Sequence, residues 1–343
     1  HFGTQLQETL NVPIGLIRNA WGGSACDAWV PLDRLEGDEL YGLSLARWKK
    51  AEAEFDEAAL RADHQAKLDA FYAARDAAYA AGDALPARPW VANKLFHQHR
   101  PANLFNARVL PLVPFAIKGV IWYQGESNAS RAYQYREMFP LMIQSWREVW
   151  GQGDFPFYWV QLADFKAEAD GPESSPWAEL REAQTMTLDR LPNVGEAVTI
   201  DIGEANDIHP RNKRDVGLRL ARLALAKTYG KSLKAESPRF DSMDIADGVA
   251  TVSFSGVGQG LKTYDGVAPT GFTIAGEDRV FHPATAEIVD KNRIAVSSPA
   301  VTEPAAVRYA WAWNPVVNLY DSAWLPVTPF RTDDWPGVTI NAR

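Results

Sequence analysis

Apolar and polar positions alternate in blocks along this chain, and four short β-favouring runs share one ending. Residues 12–21 (VPIGLIRNAW) stop at Gly22-Gly23-Ser24, and residues 117–124 (IKGVIWYQ) stop at Gly125-Glu126-Ser127-Asn128. Residues 157–163 (FYWVQLA) stop at Asp164, and residues 197–201 (AVTID) stop at Gly203. Each run predicts a buried strand that delivers polar residues at its carboxyl end. Helical periodicity fills the gaps. Tyr135, Phe139, Met142, Ile143, Trp146, Val149 and Trp150 share one face of a helix that Gly151 closes. Ser175 is a candidate N-cap with Pro176 at the first helical position, followed by Trp177, Leu180 and Leu188. A third helix, over 214–229, buries Val216, Leu220 and Leu223 and has Gly230 as its C-cap. Phe2, Leu6 and Leu10 mark residues 1–11 as the tail of an amphipathic helix, so the chain reads as beginning inside a fold. Strand and helix in alternation predict an α/β protein whose parallel sheet is covered on both faces and binds ligands beyond the carboxyl ends of its strands.

Two stretches break the pattern. Residues 36–88 are rich in Ala, Glu and Lys, with Trp48, Phe55, Leu60, Leu68 and Tyr72 at roughly helical spacing, and predict one long helix or a helical hairpin inserted in the α/β unit. Its simpler reading is a structural arm; a lid is the other. After Lys234 the texture becomes short β-like runs between Gly, Pro, Asn and Asp. The expected organisation is therefore an α/β domain from 1–35 and 89–233, a helical insertion at 36–88 and a small β-rich region at 234–343.

Composition then narrows the chemistry. The 343 residues carry 35 Lys+Arg against 43 Asp+Glu, a formal charge of −8 with no basic cluster, which argues against a nucleic-acid partner. No apolar run approaches the ~20 residues of a membrane span. Cys26 is the one cysteine, which excludes an internal disulfide and a Cys-X-X-Cys pair. There is no H-E-x-x-H, no close His pair besides His97 and His99, and no Gly-rich phosphate loop, so neither metal nor cofactor is expected.

The strand ends hold the candidate chemistry. Gly125-Glu126-Ser127-Asn128 superficially has the form of a nucleophile elbow, but Ala129 stands where a second glycine is expected, so the motif gives only weak support for Ser127 as a nucleophile. The Asn128 amide can donate to an oxyanion or simply cap the following helix. His209, in Asp207-Ile208-His209-Pro210, sits on a polar loop and suits a general base, with Asp207, Asp201 or Glu204 as the carboxylate that orients it. Gly22-Gly23 can present a backbone N–H to the same oxyanion or form only a tight turn. Trp122, Trp159 and Trp313 lie near strand ends, where an indole can stack on a sugar face or belong to the core. Glu126 with Asp164 or Asp201 would be the carboxylate pair of a glycoside hydrolase, the rival reading.

Six segments in order, among them VPIGLIRNAWGGSACDAW, LFNARVLPLVPFAIKGVIWYQGESNA, WAELREAQ and DIHPRNKRDVGLRLARLAL, resemble the sialate O-acetylesterase family of SGNH-type carbohydrate esterases. The resemblance implies a flavodoxin-like α/β/α sandwich that removes acetyl groups from acetylated sialic acid or plant cell-wall glycans, in a periplasmic or secreted setting. It implies His209 as base, Asp207 as its orienter, and Gly23 and Asn128 as oxyanion donors. Gln124, Glu126 and Trp122 are then the expected sugar contacts. Family members place the acid three residues before the His, where Asn206 stands here, so a Ser–His dyad is the alternative. The family's Gly-Gln-Ser-Asn nucleophile segment does not occur in these residues. Its serine is expected upstream, in an N-terminal segment of the same protein whose absence would leave a sheet edge to cover. A sugar-binding relative without catalysis is the remaining alternative.

Overall fold

In the computed structural model, which describes residues 1–91, 94–168 and 171–342, the chain builds a three-layer α/β unit, a helical arm and a β-rich half. Helix α1 (Phe2–Leu10) ends on Asn11 in the left-handed region, its N–H donating to the Gln7 carbonyl. After the short α2 (Leu32–Glu36), α3 (Glu39–Ala53) and α4 (Glu57–Ala81) follow one another as a helical arm. Asp38 and Asp56 cap the amino ends of these two helices, and Gly82 closes the second. The helical stretch is thus two helices and not one, and α4 buries none of its residues.

The sheet is β1 (Val120–Trp122), β2 (Phe157–Val160) and β3 (Val194–Ala197), all parallel and in that order, with Val120 opposite Phe157 and Phe157 opposite Val194. Alternate residues of β2 enter different cores. Phe157 and Trp159 join Trp122, Tyr135, Phe139 and Leu180 beneath α5 (Ala132–Trp150) and α6 (Pro176–Met186). Tyr158 and Val160 join Leu6, Leu220 and Leu223 beneath α1 and α7 (Lys213–Leu223). A period of two in the strand, met by helices on both sides, is what makes the layers. The capping signals also act as read: Ser175 Oγ accepts the Ala178 N–H at 3.2 Å, and Gly151, at φ 63°, closes α5.

Two strand expectations need correction. Residues 12–21 form no strand, and Leu16 and Ile17 are 67% and 55% exposed. An apolar run becomes a strand only against a ladder partner, and among the described residues none hydrogen-bonds to the backbone of 12–20. The last strand also lies upstream of its expected position. Residues 199–201 turn instead, with Thr199 Oγ1 donating to the Gln161 carbonyl at 2.7 Å.

The β-rich half contains ten strands: β4 (Arg239–Ala246), β5 (Val249–Ser255), β6 (Leu261–Thr263), β7 (Phe272–Ala275), β8 (His282–Pro283), β9 (Thr285–Asp290), β10 (Arg293–Ser297), β11 (Ala306–Tyr309), β12 (Leu319–Asp321) and β13 (Phe330–Arg331). They form sheets ordered β4-β5-β10-β9, β13-β11-β7-β8 and β12-β6. Val252, Phe254, Ile274, Ile294 and Tyr309 fill the core between them, together with Val198 and Ile200 from just beyond β3.

Candidate active site

Three loops meet past the carboxyl end of the parallel sheet. Beyond β1 the chain passes Tyr123 and Gln124 and turns at Gly125 into a short 3₁₀ helix, Glu126–Arg131. Leu180 and Gln184 crowd Gly125 from α6, leaving no room for a Cβ. Beyond β2, Asp164 accepts the Gly203 N–H at 2.6 Å, and a Cβ on Gly203 would overlap the Asp164 carbonyl. This contact holds the loop of residues 202–212, which carries His209, against the end of β2. Lys166 N–H to the Ala205 carbonyl, at 3.0 Å, fixes the same loop a second time.

His209 projects from that loop with its side chain 81% exposed. Its Nδ1 lies 3.6 Å from Asp207 Oδ1, too far for a hydrogen bond, while the same oxygen accepts the His209 backbone N–H at 2.8 Å. Asp207 therefore shapes the loop and adds charge near the ring. Glu126, just beyond β1, feels the charges of His209 and of Lys213 at the start of α7. Burial pushes the Glu126 carboxyl above the usual range, against the pull of its own and the Gly125 backbone N–H and of the His209 and Lys213 charges. Burial pulls the Lys213 ammonium below its usual range, opposed by Glu126, Asp207 and Glu204. Lys213 Nζ also sits 5.0 Å from the Tyr123 ring centroid. Tyr123, whose phenol burial pushes up with help from Glu126 and Asp164, completes the cluster. Sequence reasoning named Glu126 as a sugar contact and missed Lys213 and Tyr123. Lys213 stands four residues past His209 in DIHPRNK, the one signal that could have found it.

Gly23 lies across from the β1 loop at φ 67°. Its carbonyl is tied down by Ser127 Oγ (3.0 Å) and by His99 Nε2 (2.6 Å), while its N–H meets no acceptor among the described residues. The turn is thus anchored through the Gly23–Ser24 peptide, and the N–H of the preceding peptide is left unengaged among the described residues.

Three of the expected contact residues have their side chains engaged within the protein. The Asn128 amide is 1% exposed: its oxygen accepts the Cys26 N–H and Gln124 Nε2, both at 2.8 Å, and its nitrogen donates to Asp27 Oδ2 at 3.0 Å. Asp27 is in turn held bidentately by Arg131. An amide so engaged faces no open space, so here it clamps the 24–27 turn, and with it Gly23, to the end of β1. Gln124 has both ends occupied as well, donating to the Ser24 carbonyl and accepting from Tyr135 OH at 3.1 Å. Trp122 packs edge-on against Trp29 and Trp146, with centroids 5.5 and 5.7 Å away, as a core residue and not a sugar platform. Among the described residues, no group of three His, Cys, Asp or Glu could hold a metal, and no helix is long and apolar enough to cross a membrane.

A doubly covered parallel sheet with a histidine loop and a glycine turn at its carboxyl end is an α/β architecture that suits a hydrolase. The comparisons agree. The family described as carbohydrate esterase, sialic acid-specific acetylesterase matches residues 88–226. The crystal structure of a novel carbohydrate acetylesterase from Xanthomonas citri superposes with a TM-score of 0.74 at 41% identity, over 97% of this chain and 64% of that one. Sialate O-acetylesterase from Mus musculus is 30% identical over 260 residues, 69% of this chain and 43% of the relative. The Homo sapiens enzyme is 28% identical over 71% and 41%. The chain belongs to the sialate O-acetylesterase family of carbohydrate esterases, and spans less than half the length of these curated relatives.

Proposed function

We propose that this chain is the base-bearing part of a carbohydrate O-acetylesterase, and that the nucleophilic serine comes from polypeptide outside residues 1–343. The observation that carries the reading is the exposed imidazole of His209 on a loop pinned to the end of β2. His209 takes the proton of an incoming serine hydroxyl as that oxygen attacks an acetyl carbonyl. The free N–H of Gly23 stabilises the tetrahedral oxyanion. His209 then returns the proton to the departing sugar oxygen, and water, activated by the same ring, releases acetate. Asp207 and Glu126 place negative charge near the imidazolium that forms in each half-reaction. Ser127 is held to Gly23 and acts there as a brace. Glu126 and Lys213 supply a charged hydrogen-bonding wall for the hydroxyls of an acetylated sugar, sialic acid or a plant cell-wall glycan. A polymeric substrate of that kind places the enzyme in the periplasm or outside the cell.

Acetate release from 4-nitrophenyl acetate and from acetylated glycans tests this on protein that includes the serine segment. His209→Ala is expected to lower turnover by the ~10²–10⁴ that a positioned base supplies. Unchanged turnover, or cleavage of aryl glycosides in place of acetates, overturns the reading.

A further inference from the structure

We propose that the exposed aromatic face of the β6–β12 ribbon is a binding surface for a neutral glycan chain, laid out beside the loop that carries His209. The ribbon is a two-stranded antiparallel ladder in which Tyr320 stands opposite Lys262. Alternate residues of such a ladder point to opposite sides. Leu261 and Leu319 go inward to the β core, so Lys262 and Tyr320 take the outer face. The Tyr264 N–H donates to the Asn318 carbonyl at 3.1 Å, which carries the ladder on and sets Tyr264 two residues past Lys262 on that face. Trp324 follows from the turn after β12. Tyr320 meets both rings edge-on, with centroids 6.1 Å from Tyr264 and 6.1 Å from Trp324. Tyr264 is 61% exposed and Trp324 53%. Two large rings thus stand in water around a third, a grouping and not the scattered exposure common on any surface.

The rings are held rigid from behind. Buried Asn318 ties down the chain after Tyr264, donating to Asp265 and to the Ala268 carbonyl, both at 3.0 Å, and accepting the Thr270 N–H at 2.9 Å. Buried Asp321 does the same for the other turn, accepting the Ala323 and Leu325 N–H groups at 2.8 and 2.9 Å. That turn holds Trp324 in the left-handed region, at φ 62°, which a bulky side chain rarely adopts and which persists only where the surroundings impose it. The ammonium of Lys262 lies 3.3 Å from the centroid over one face of the Trp324 ring, so the exposure of that ring belongs to its other face and its edge. A surface assembled in advance loses little freedom when a ligand lands on it.

The chemistry of the patch selects its occupant. A pyranose ring has an apolar C–H face and a rim of hydroxyls, and an aromatic face carries the negative quadrupole that attracts such hydrogens. Both cations of the patch are engaged, Lys262 on Trp324 and the Ser322 carbonyl, and Arg219 bidentately on Asp201, the partner of the Tyr320 hydroxyl. The carboxylate of Asp265 repels acid groups. An uncharged sugar suits this surface and an acidic one does not. Place agrees with chemistry. The Tyr320 hydroxyl donates to Asp201 Oδ2 at 3.1 Å, and Asp201 lies two residues before Gly203, whose N–H donates to Asp164 at the root of the His209 loop. The patch therefore adjoins the candidate site and extends it along a chain of sugar residues. It rests on the carbohydrate part of the reading above and not on the hydrolytic part, since binding is read without turnover.

Calorimetric titration of the 343-residue chain with cellohexaose, xylohexaose and mannohexaose, all neutral β-linked chains, tests it against hexagalacturonate as the acidic control. At least one neutral chain is expected to bind at millimolar concentration or below, and hexagalacturonate more weakly or not at all. Tyr264→Ala and Trp324→Ala are each expected to weaken binding about tenfold, the loss of one stacked ring, and Trp324→Phe to keep most of it. Trp324→Gly relieves the left-handed backbone, so it is expected to melt no lower than the parent while losing the glycan, which separates contact from folding. No binding by any neutral chain, tighter binding of hexagalacturonate, or alanine variants that bind like the parent overturns the proposal. So does a dimer in ultracentrifugation that Tyr264→Ala disperses, since a second copy then covers the rings. Glycan binding without acetate release from 4-nitrophenyl acetate, on protein that includes the serine segment, would remove the esterase reading and leave the patch standing; acetate release without glycan binding would do the reverse.

Discussion

Asn128 shows how one side chain can be read in two opposite ways. At a strand end, spacing alone allows it to face a cleft or the interior, and nothing in GESN distinguishes the two. The structure turns it inward, where it satisfies the Cys26 N–H, Gln124 and Asp27 together. Asn128→Ala strands the buried Cys26 N–H, at ~1–3 kcal/mol when left unpaired, and takes one hydrogen bond each from Gln124 and Asp27, which keep their bonds to Ser24 and Arg131. The expected outcome is a thermal midpoint lowered by several degrees, with any loss of turnover following from the displaced Gly23 turn. A variant that melts like the parent while losing acetate release would return Asn128 to the oxyanion role. The exposed loop position of His209 and the turn at Gly23 were legible, because a polar loop and paired glycines signal themselves in sequence. The inward placement of Gln124 and Trp122 was not, because a strand's two faces look alike in sequence until the helices that cover them are placed.

At the scale of elements, strand content was legible wherever a neighbouring strand existed to pair with it. The runs around 120 and 157 fold as read, since each finds a parallel partner in register. Residues 12–21 have the same texture and form no strand, because pairing is a property of two segments and none of the described residues pairs with this one. Strand β3 carries a further cost within its own four residues. Glu196 is fully buried, accepting from Trp159 Nε1 at 2.9 Å and from Thr185 Oγ1 at 2.8 Å, and burial raises its carboxyl to about 7 against those hydrogen bonds. The folded state thus holds a proton that the unfolded chain, with an ordinary carboxyl near 4.5, gives up. Stability from this group is fully present below about pH 4.5 and is lost as pH rises through about 7, a change of roughly 3 kcal/mol. Thermal midpoints from pH 4.5 to 8 should therefore fall more steeply for the parent than for Glu196→Gln. Parallel curves would mean that Glu196 titrates at its unfolded value.

Across the whole molecule, the α/β unit and the β-rich half meet through charged groups as well as through apolar packing. Arg181 is fully buried on α6, and its guanidinium spends its donors on four carbonyls: Leu162 and Ala163 at the end of β2, Ala312 and Trp313 in the β-rich half, all between 2.7 and 3.0 Å. Burial lowers it to about 10, so it stays charged at neutral pH. Trp177 stacks on Trp313 at 5.1 Å beside this staple, and Val198 and Ile200 lend their side chains to the β core. A core shared in this way makes the two parts unfold together, whatever the sequence boundary near residue 234 suggests. Arg181→Met keeps the bulk and removes the donors, leaving four carbonyls without their guanidinium partner, at a cost of roughly 3–5 kcal/mol. Calorimetry is expected to show one transition in both proteins, shifted down by several degrees in the variant, since the shared apolar core still couples the parts. Two resolved transitions in Arg181→Met would show that the guanidinium alone joins them, and that residues 198–200 belong energetically to the sheet they follow.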